Sequence, residues 1–187
     1  MNRIHRVFCN SARWGAAVET RLLPWALDGV PLGSDVLEIG PGFGATTRVL
    51  AGKAGRLTAI EVDATSAGLL RDKFQERVRI LTGDAANMPI PDASYDAVVC
   101  FTMLHHVPSP AAQDRLFGEA WRVLRPGGVF AGSDSRSSFR FRLLHIGDTM
   151  VAVDPEELPS RLTAAGFDTP AVSLGAGSFR FRATRPA

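Results

Sequence analysis

"VLEIGPGFG", residues Val36 to Gly44, runs from an apolar strand directly into a turn with glycine at every second position. Gly40, Gly42 and Gly44 let a ligand approach the main chain, and an acid, Glu38, stands just ahead of them. A strand that ends in such a turn and feeds a helix builds a nucleotide or anion site, because the helix start offers unpaired N–H donors. The dinucleotide fingerprint G-x-G-x-x-G/A is met by Gly40, Gly42 and Ala45, but alone it matches too often to decide a ligand. Pyrophosphate is poorly served by a carboxylate leading into the loop. S-adenosylmethionine carries an ammonium and a sulfonium instead, and Glu38 complements that charge directly or through water. A plainer role for Glu38, capping local backbone groups, stays open.

The rest of the chain repeats the strand-to-helix alternation. Apolar runs of strand length lie at Asp35–Ile39, Arg56–Val62, Val78–Leu81, Tyr95–Cys100 and Val129–Gly132. Helical patterns occupy Ala45–Ala54, Ser66–Glu76 and Ala111–Leu124. The fourth run is apolar without a break from Ala97 to Cys100, as a strand covered on both faces must be. Such alternation predicts βαβ units and a parallel sheet.

The two ends differ. Trp14, Val18, Leu22 and Trp25 mark one face of an N-terminal helix over about Ser11–Leu27, with a break expected near Pro24. At the other end, "DPEELPSRLTAAGF" reads as a helix opened by Asp154 and Pro155 and closed by Gly166. Two strands then flank Gly175–Gly177, with Phe179 and Phe181 alternating against Arg180 and Arg182. A hairpin there adds an antiparallel edge. "SFRFR" occurs at Ser138–Arg142 and again at Ser178–Arg182; with nothing similar around it, it marks chance or two amphipathic strands rather than a repeat.

Composition sets the class. The 187 residues fit one domain, and 45% hydrophobic content supplies a sizeable core. Charge is nearly balanced, 21 basic against 19 acidic residues, and points to no particular partner. Cys9 and Cys100 are too few and too far apart for a disulfide framework or a zinc site, which favours a reducing, cytoplasmic setting. No metal site is expected. No apolar run approaches membrane-spanning length, and "MNRIHRVFCNSARWG" lacks the pattern of a secretory signal.

Four motifs taken in order resemble the class I S-adenosylmethionine-dependent methyltransferases, in the methyltransferase type 11-like group that acts on small molecules. "VLEIGPGFG" resembles the first motif of that family, and "LTAIEVD" its second strand. "LTGDAANMPIPDASYDAVVCFTMLHHV" resembles the third and fourth strands, and "RVLRPGGVF" the turn into the fifth. The likeness is close from about Leu32 to Leu124 and looser to the end. It implies a Rossmann-like, doubly wound, mostly parallel seven-stranded sheet closed by the C-terminal antiparallel hairpin. It also implies S-adenosyl-L-methionine as cofactor. The chain then divides into an N-terminal helical cap (1–31), a cofactor-binding core (32–134), a short substrate lid (135–153) and a C-terminal helix with hairpin (154–187).

The same resemblance assigns roles. Glu61, closing the second strand, holds both ribose hydroxyls, with Asp63 two residues on as its rival. Asp84 accepts from the adenine amino group and the Ala85 N–H donates to the ring, although an Asp there also suits a turn cap. Met88 packs on the adenine or fills the core. Phe101 lines the methionine portion of the cofactor. Gly40, Gly42 and Gly44 meet the cofactor along the loop.

Past the fourth strand, His105 and His106 stand on the acceptor side. A histidine, with an unperturbed pKa of about 6.5, serves as a general base with little tuning. His106 is the candidate for catalysis, against a structural or helix-starting role for the pair. No Asn/Asp-Pro-Pro-aromatic run follows strand four, which disfavours methylation of exocyclic amino groups or glutamine. Cys100 sits inside a buried strand, where a thiol is inert packing. No acid cluster of the metal-dependent catechol type can be assembled.

The expected activity is methyl transfer to an oxygen, nitrogen or carbon of a small-molecule acceptor, resting largely on alignment of the two reactants. Acceptor choice falls to the N-terminal helix and the lid, where Arg136, Arg140, Arg142 and His145 suit an anionic acceptor or form a solvated basic strand face. An RNA methylase is a competing reading, but no long basic tract supports nucleic-acid binding. A non-catalytic binding module on the same fold is a third, and a dehydrogenase a fourth. The sequence leaves oligomeric state open.

Overall fold

The computed structural model describes residues 9–187, the side chains of Arg140 and Leu144 excepted. The first eight residues of the cap and the Arg140 side chain therefore lie outside the described residues. One seven-stranded sheet runs through the molecule in the order β3-β2-β1-β4-β5-β7-β6. Its strands are β1 (Asp35–Ile39), β2 (Arg56–Glu61), β3 (Arg79–Thr82), β4 (Tyr95–Phe101), β5 (Leu124–Ser135), β6 (Asp168–Leu174) and β7 (Ser178–Thr184). The first five are parallel, while β7 is antiparallel to both β5 and β6. The expected doubly wound sheet with its antiparallel C-terminal hairpin is what forms.

The pleat sorts the strand residues onto two cores. Leu37 and Ile39 of β1, Val98 and Cys100 of β4, and Phe130 of β5 face one side. There they meet α5 (Pro110–Val123) and α7 (Leu158–Ala164) through Leu116, Phe117, Leu158 and Leu162. Val36, Ala97, Val99, Phe101 and Ala131 face the other. They are covered by α1 (Ala12–Ala17), α2 (Leu23–Ala26), α3 (Ala45–Leu50) and α4 (Ala64–Phe74). A strand buried on both faces leaves no room for polar alternation, hence the unbroken apolar run Ala97–Cys100.

Where elements depart from the expected limits, a local cause is visible. A π-helical turn, Val18–Leu22, joins α1 to α2 one turn before Pro24. Proline has no N–H to give Thr20 and its ring crowds that carbonyl, so the distortion falls upstream of the proline, not at it. Helix α4 starts at Ala64 because the Asp63 carboxylate accepts from Ser66 N at 2.7 Å. Helix α7 begins only at Leu158; Asp154 closes a turn by accepting from Glu156 N at 2.9 Å.

The larger departure is in the lid. Ser138–Arg142, which reads as chance recurrence or an amphipathic strand, instead opens a helix, α6 (Phe139–Leu144), capped by Ser138 accepting from Phe141 N. The identical pentapeptide at Ser178–Arg182 is strand β7, with Phe179 and Phe181 buried and the two arginines on the opposite face. Arg180 donates to the Trp25 carbonyl and Arg182 to that of Gly29, which ties the N-terminal helices to the sheet.

Candidate functional site

The strand order reverses between β1 and β4, so the crossovers from these neighbours leave toward opposite faces. A crevice must open beyond their carboxyl ends. It is a cleft of about 780 Å3, walled by the glycine loop after β1, the end of β2, the turn after β3, the segment after β4 and the lid.

The loop is shaped by main-chain conformation. Gly40, Gly42 and Gly44 all have positive φ, at 65°, 54° and 77°. They do different work. A Cβ on Gly42 would point into open space within the cleft, whereas one on Gly44 would lie 2.6 Å from the Phe74 ring and 2.8 Å from Leu70. Gly44 is absent from the cleft wall; it lets α3 start hard against α4. Gly40 and Gly42 do line the cleft.

Glu61, 8% exposed, lies in the wall and spans the loop. Its carboxylate accepts from Gly42 N and from Asp63 N, each at 3.1 Å. Asp63 spends a carboxylate oxygen on the cap of α4. Both acids line the cleft; Glu61 is the buried one, and Asp63 is exposed with one oxygen engaged in the cap. Asp84 and Ala85 line the opposite wall, with one Asp84 oxygen accepting from Ala86 N at 2.8 Å. The turn-cap role foreseen for Asp84 is therefore real, and it engages only that oxygen. Met88 is core, 5% exposed, away from the cleft wall. Phe101 is buried and lines the floor.

Glu38 is not in the wall. It is 1% exposed and sits behind the loop, where the Thr46 hydroxyl donates to its Oε1. Oε2 is buried with no hydrogen bond. Burial pushes its pKa up from 4.5 to about 7; the Thr46 and Thr47 hydroxyls offset part of that rise, and the Glu61 charge adds to it. Any effect on a cation in the cleft is exerted through the loop.

Beyond β4, Leu104–His106 form one 3₁₀ turn. His105 is 2% exposed; its Nδ1–H donates to Asp134 Oδ1 at 2.5 Å, and its main-chain N–H donates to Oδ2 at 2.9 Å. An ionised carboxylate only accepts, which places the ring proton on Nδ1. His106 is half-buried in the cleft wall, with Nδ1 3.2 Å from the Thr149 carbonyl oxygen. The lid contributes Phe141, His145 and Thr149.

One grouping was not foreseen. One ring nitrogen each from His105, His106 and His145 lies within 4.8 Å of the other two. His145 lies 40 positions from His105 and 39 from His106, within the lid, so spacing gave no sign of it. Cys100 is fully buried and its thiol is pushed well above the usual range by desolvation, as an inert core thiol should be.

Residues 37–132 match the family described as "Methyltransferase domain". The chain belongs to the class I S-adenosylmethionine-dependent methyltransferases, in the type 11-like group. It is 37% identical over 152 residues to a probable S-adenosylmethionine-dependent methyltransferase of Mycolicibacterium smegmatis, covering 78% of this chain and 57% of that one. It is 32% identical over 125 residues to a demethylmenaquinone methyltransferase of Tropheryma whipplei, covering 65% and 47%. Among solved structures, an S-adenosylmethionine-dependent methyltransferase of Thermotoga maritima superposes with a TM-score of 0.76 at 23% identity, over 97% of both chains. That likeness is one of fold. The chain spans about half the length of the curated relatives it matches. Among the described residues no helix is long and apolar enough to cross a membrane.

Proposed function

We propose that this methyltransferase-family chain moves the methyl group of S-adenosylmethionine to an oxygen, nitrogen or carbon of a small-molecule acceptor. The observation that carries the reading is Glu61, a buried carboxylate in the cleft wall that already bridges the glycine loop to the start of α4. A ribose diol presented there meets two carboxylate oxygens, and charge-assisted bonds of this type are the stronger ones. Asp84 and Ala85 are proposed to hold the adenine, Gly40 and Gly42 to let the cofactor meet the main chain, and Phe101 to floor its methionine end. Gly44 and Glu38 support the loop from behind.

The sulfonium makes the methyl group a good electrophile. Catalysis then rests mostly on holding the acceptor in line with it at near-attack distance. His106 is proposed to meet the acceptor: with an Nδ1–H donating to Thr149, Nε2 is the basic nitrogen. The lid residues 135–153 are proposed to select the acceptor. Its helix presents Phe141 to the cleft, whereas Arg136 and Arg142 are not in the cleft wall. The acceptor class this favours is apolar or aromatic around the reacting atom. Demethylmenaquinone, named for the Tropheryma relative, is of that chemical type. A cytoplasmic setting fits the two free thiols.

The test is label transfer from methyl-labelled cofactor into pools of metabolites and, separately, into RNA. Product in the metabolite pool that falls about 10²–10⁴-fold in His106→Ala, with cofactor affinity little changed, supports the reading. Label found only in RNA replaces it with the nucleic-acid alternative. Tight cofactor binding with no transfer to either pool leaves the non-catalytic module.

A further inference from the structure

We propose that His105, His106 and His145 form a binding site for a zinc-type transition-metal ion at the acceptor end of the cleft. Three imidazoles meet there from two separate segments, with one nitrogen of each within 4.8 Å of the others. Zinc bonds imidazole nitrogen at about 2.0–2.1 Å, so a tetrahedral site spaces its nitrogens by about 3.4 Å. Small ring rotations close the difference. Nitrogen ligands select a transition ion over magnesium or calcium, which take oxygen.

A second feature separates this cluster from a mere stack of rings. Metal-ligating histidines donate their other ring N–H to a carboxylate or a main-chain carbonyl, which fixes the tautomer and raises the basicity of the ligating nitrogen. All three rings have this arrangement. His105 Nδ1 bonds Asp134 Oδ1 at 2.5 Å, His106 Nδ1 faces the Thr149 carbonyl at 3.2 Å, and His145 Nδ1 faces that of Phe141 at 2.7 Å. Asp134 is itself buried and held by the His105 and Ser135 main-chain N–H groups. Most telling is His105 Nε2, a polar atom in a residue only 2% exposed, with no hydrogen-bond partner. A buried nitrogen left unsatisfied carries its full desolvation cost, and a metal ion removes that cost.

Three protein ligands leave one position, and all three histidines line the cleft, so that position opens onto it. Three histidines with an open fourth site is the pattern of a catalytic rather than a structural zinc. The consequence for chemistry rests on the methyltransferase reading above. An acceptor hydroxyl or thiol ligated there gives up its proton to solvent, and the resulting anion attacks the methyl carbon. The new bond forms as the carbon–sulfur bond breaks, and that electron pair neutralises the sulfonium. The ion then does for the acceptor what His106 would otherwise do alone.

Metal binding is measured without cofactor or acceptor, so it fails independently of the activity. The full chain is stripped with chelator and titrated with zinc by calorimetry and with cobalt(II) by visible absorption. We expect one equivalent to bind, with the cobalt spectrum of a tetrahedral site rich in nitrogen. His106→Ala and His145→Ala should each weaken zinc at least tenfold, and Asp134→Asn by about 10–100-fold. Circular dichroism and S-adenosylmethionine affinity report whether each variant is folded. The parent cobalt spectrum tests the site even if a variant is not. No saturable binding at one equivalent, an octahedral cobalt spectrum, or equal affinity in folded variants overturns the site.

Discussion

At Glu61 and Asp63 two acids of equal charge sit two residues apart in the cleft wall, in different surroundings. Glu61 is buried in the cleft wall and bridges two main-chain N–H groups, while Asp63 caps α4. We predict that Glu61→Ala weakens S-adenosylmethionine by about 2–3 kcal/mol in calorimetry, the loss of charge-assisted bonds to two hydroxyls. Asp63→Ala should cost about 1 kcal/mol of stability as a lost cap and leave cofactor affinity nearly intact. Reversed effects would make Asp63 the ribose acid. Glu38 offers a pH-dependent test. Its pKa in the folded chain, about 7, lies above its ordinary 4.5, so the folded state holds the proton more tightly than the unfolded one. Its contribution to stability is complete below pH 4.5 and is lost as pH rises through about 7. Glu38→Gln carries no charge and still offers an oxygen to Thr46. Without cofactor it should gain up to roughly 3 kcal/mol over the parent near pH 8 and little near pH 4, measured by denaturant unfolding. A gain independent of pH would show that Glu38 does not titrate in this range. The sequence made Glu38 legible as an important acid but not as a buried one, because alternation along a strand says nothing about what packs behind a loop.

Among the elements, legibility follows how far a segment's environment is set by its own pattern. Four of the five parallel strands carry apolar runs that only a two-sided sheet can bury; the edge strand β3 pairs only Ile80 and Leu81 between polar ends, and all five were readable. The pentapeptide "SFRFR" was not: it is helix α6 at one place and strand β7 at the other. In β7 the sheet supplies a ladder to β5 and β6, and Phe179 and Phe181 find the core. At α6 no neighbouring strand is available, and the Ser138 cap starts a helix whose Phe141 packs against His105 and His145 instead. Tertiary context decides between the two, and it is invisible in five residues. The histidine cluster was hidden for the same reason, since it depends on α6 turning His145 back over Leu104–His106. One buried side chain fastens that arrangement. Gln113 of α5, fully buried, donates to the Leu104 carbonyl at 3.1 Å and to the Val151 carbonyl at 2.9 Å, tying the histidine turn to the end of the lid. Gln113→Ala should leave one buried and one partly buried carbonyl without that donor. We expect a loss of about 2–4 kcal/mol in unfolding free energy and a raised KM for the acceptor, with cofactor affinity nearly unchanged. Unchanged stability would mean that the lid is held elsewhere.

For the molecule as a whole, a sheet whose strand order reverses between β1 and β4 dictates where a ligand sits, and the residues that meet there dictate which ligand. The fold alone is shared by dehydrogenases. Separation of the two ligands rests on a loop backed by a buried acid, with a second acid bridging it, and, among the described residues, no arginine or lysine in the cleft wall to hold a pyrophosphate. The direct test is calorimetry of the purified chain with S-adenosylmethionine and, in parallel, with NAD. Gly42→Val serves as the control, because a β-branched residue at a φ of 54° is strained and its side chain projects into the cleft. The account predicts saturable one-to-one binding of S-adenosylmethionine, no measurable heat with NAD, and loss of binding in Gly42→Val with the circular dichroism of the parent. Preference for NAD, or near-parent affinity in a folded Gly42→Val chain, would contradict it.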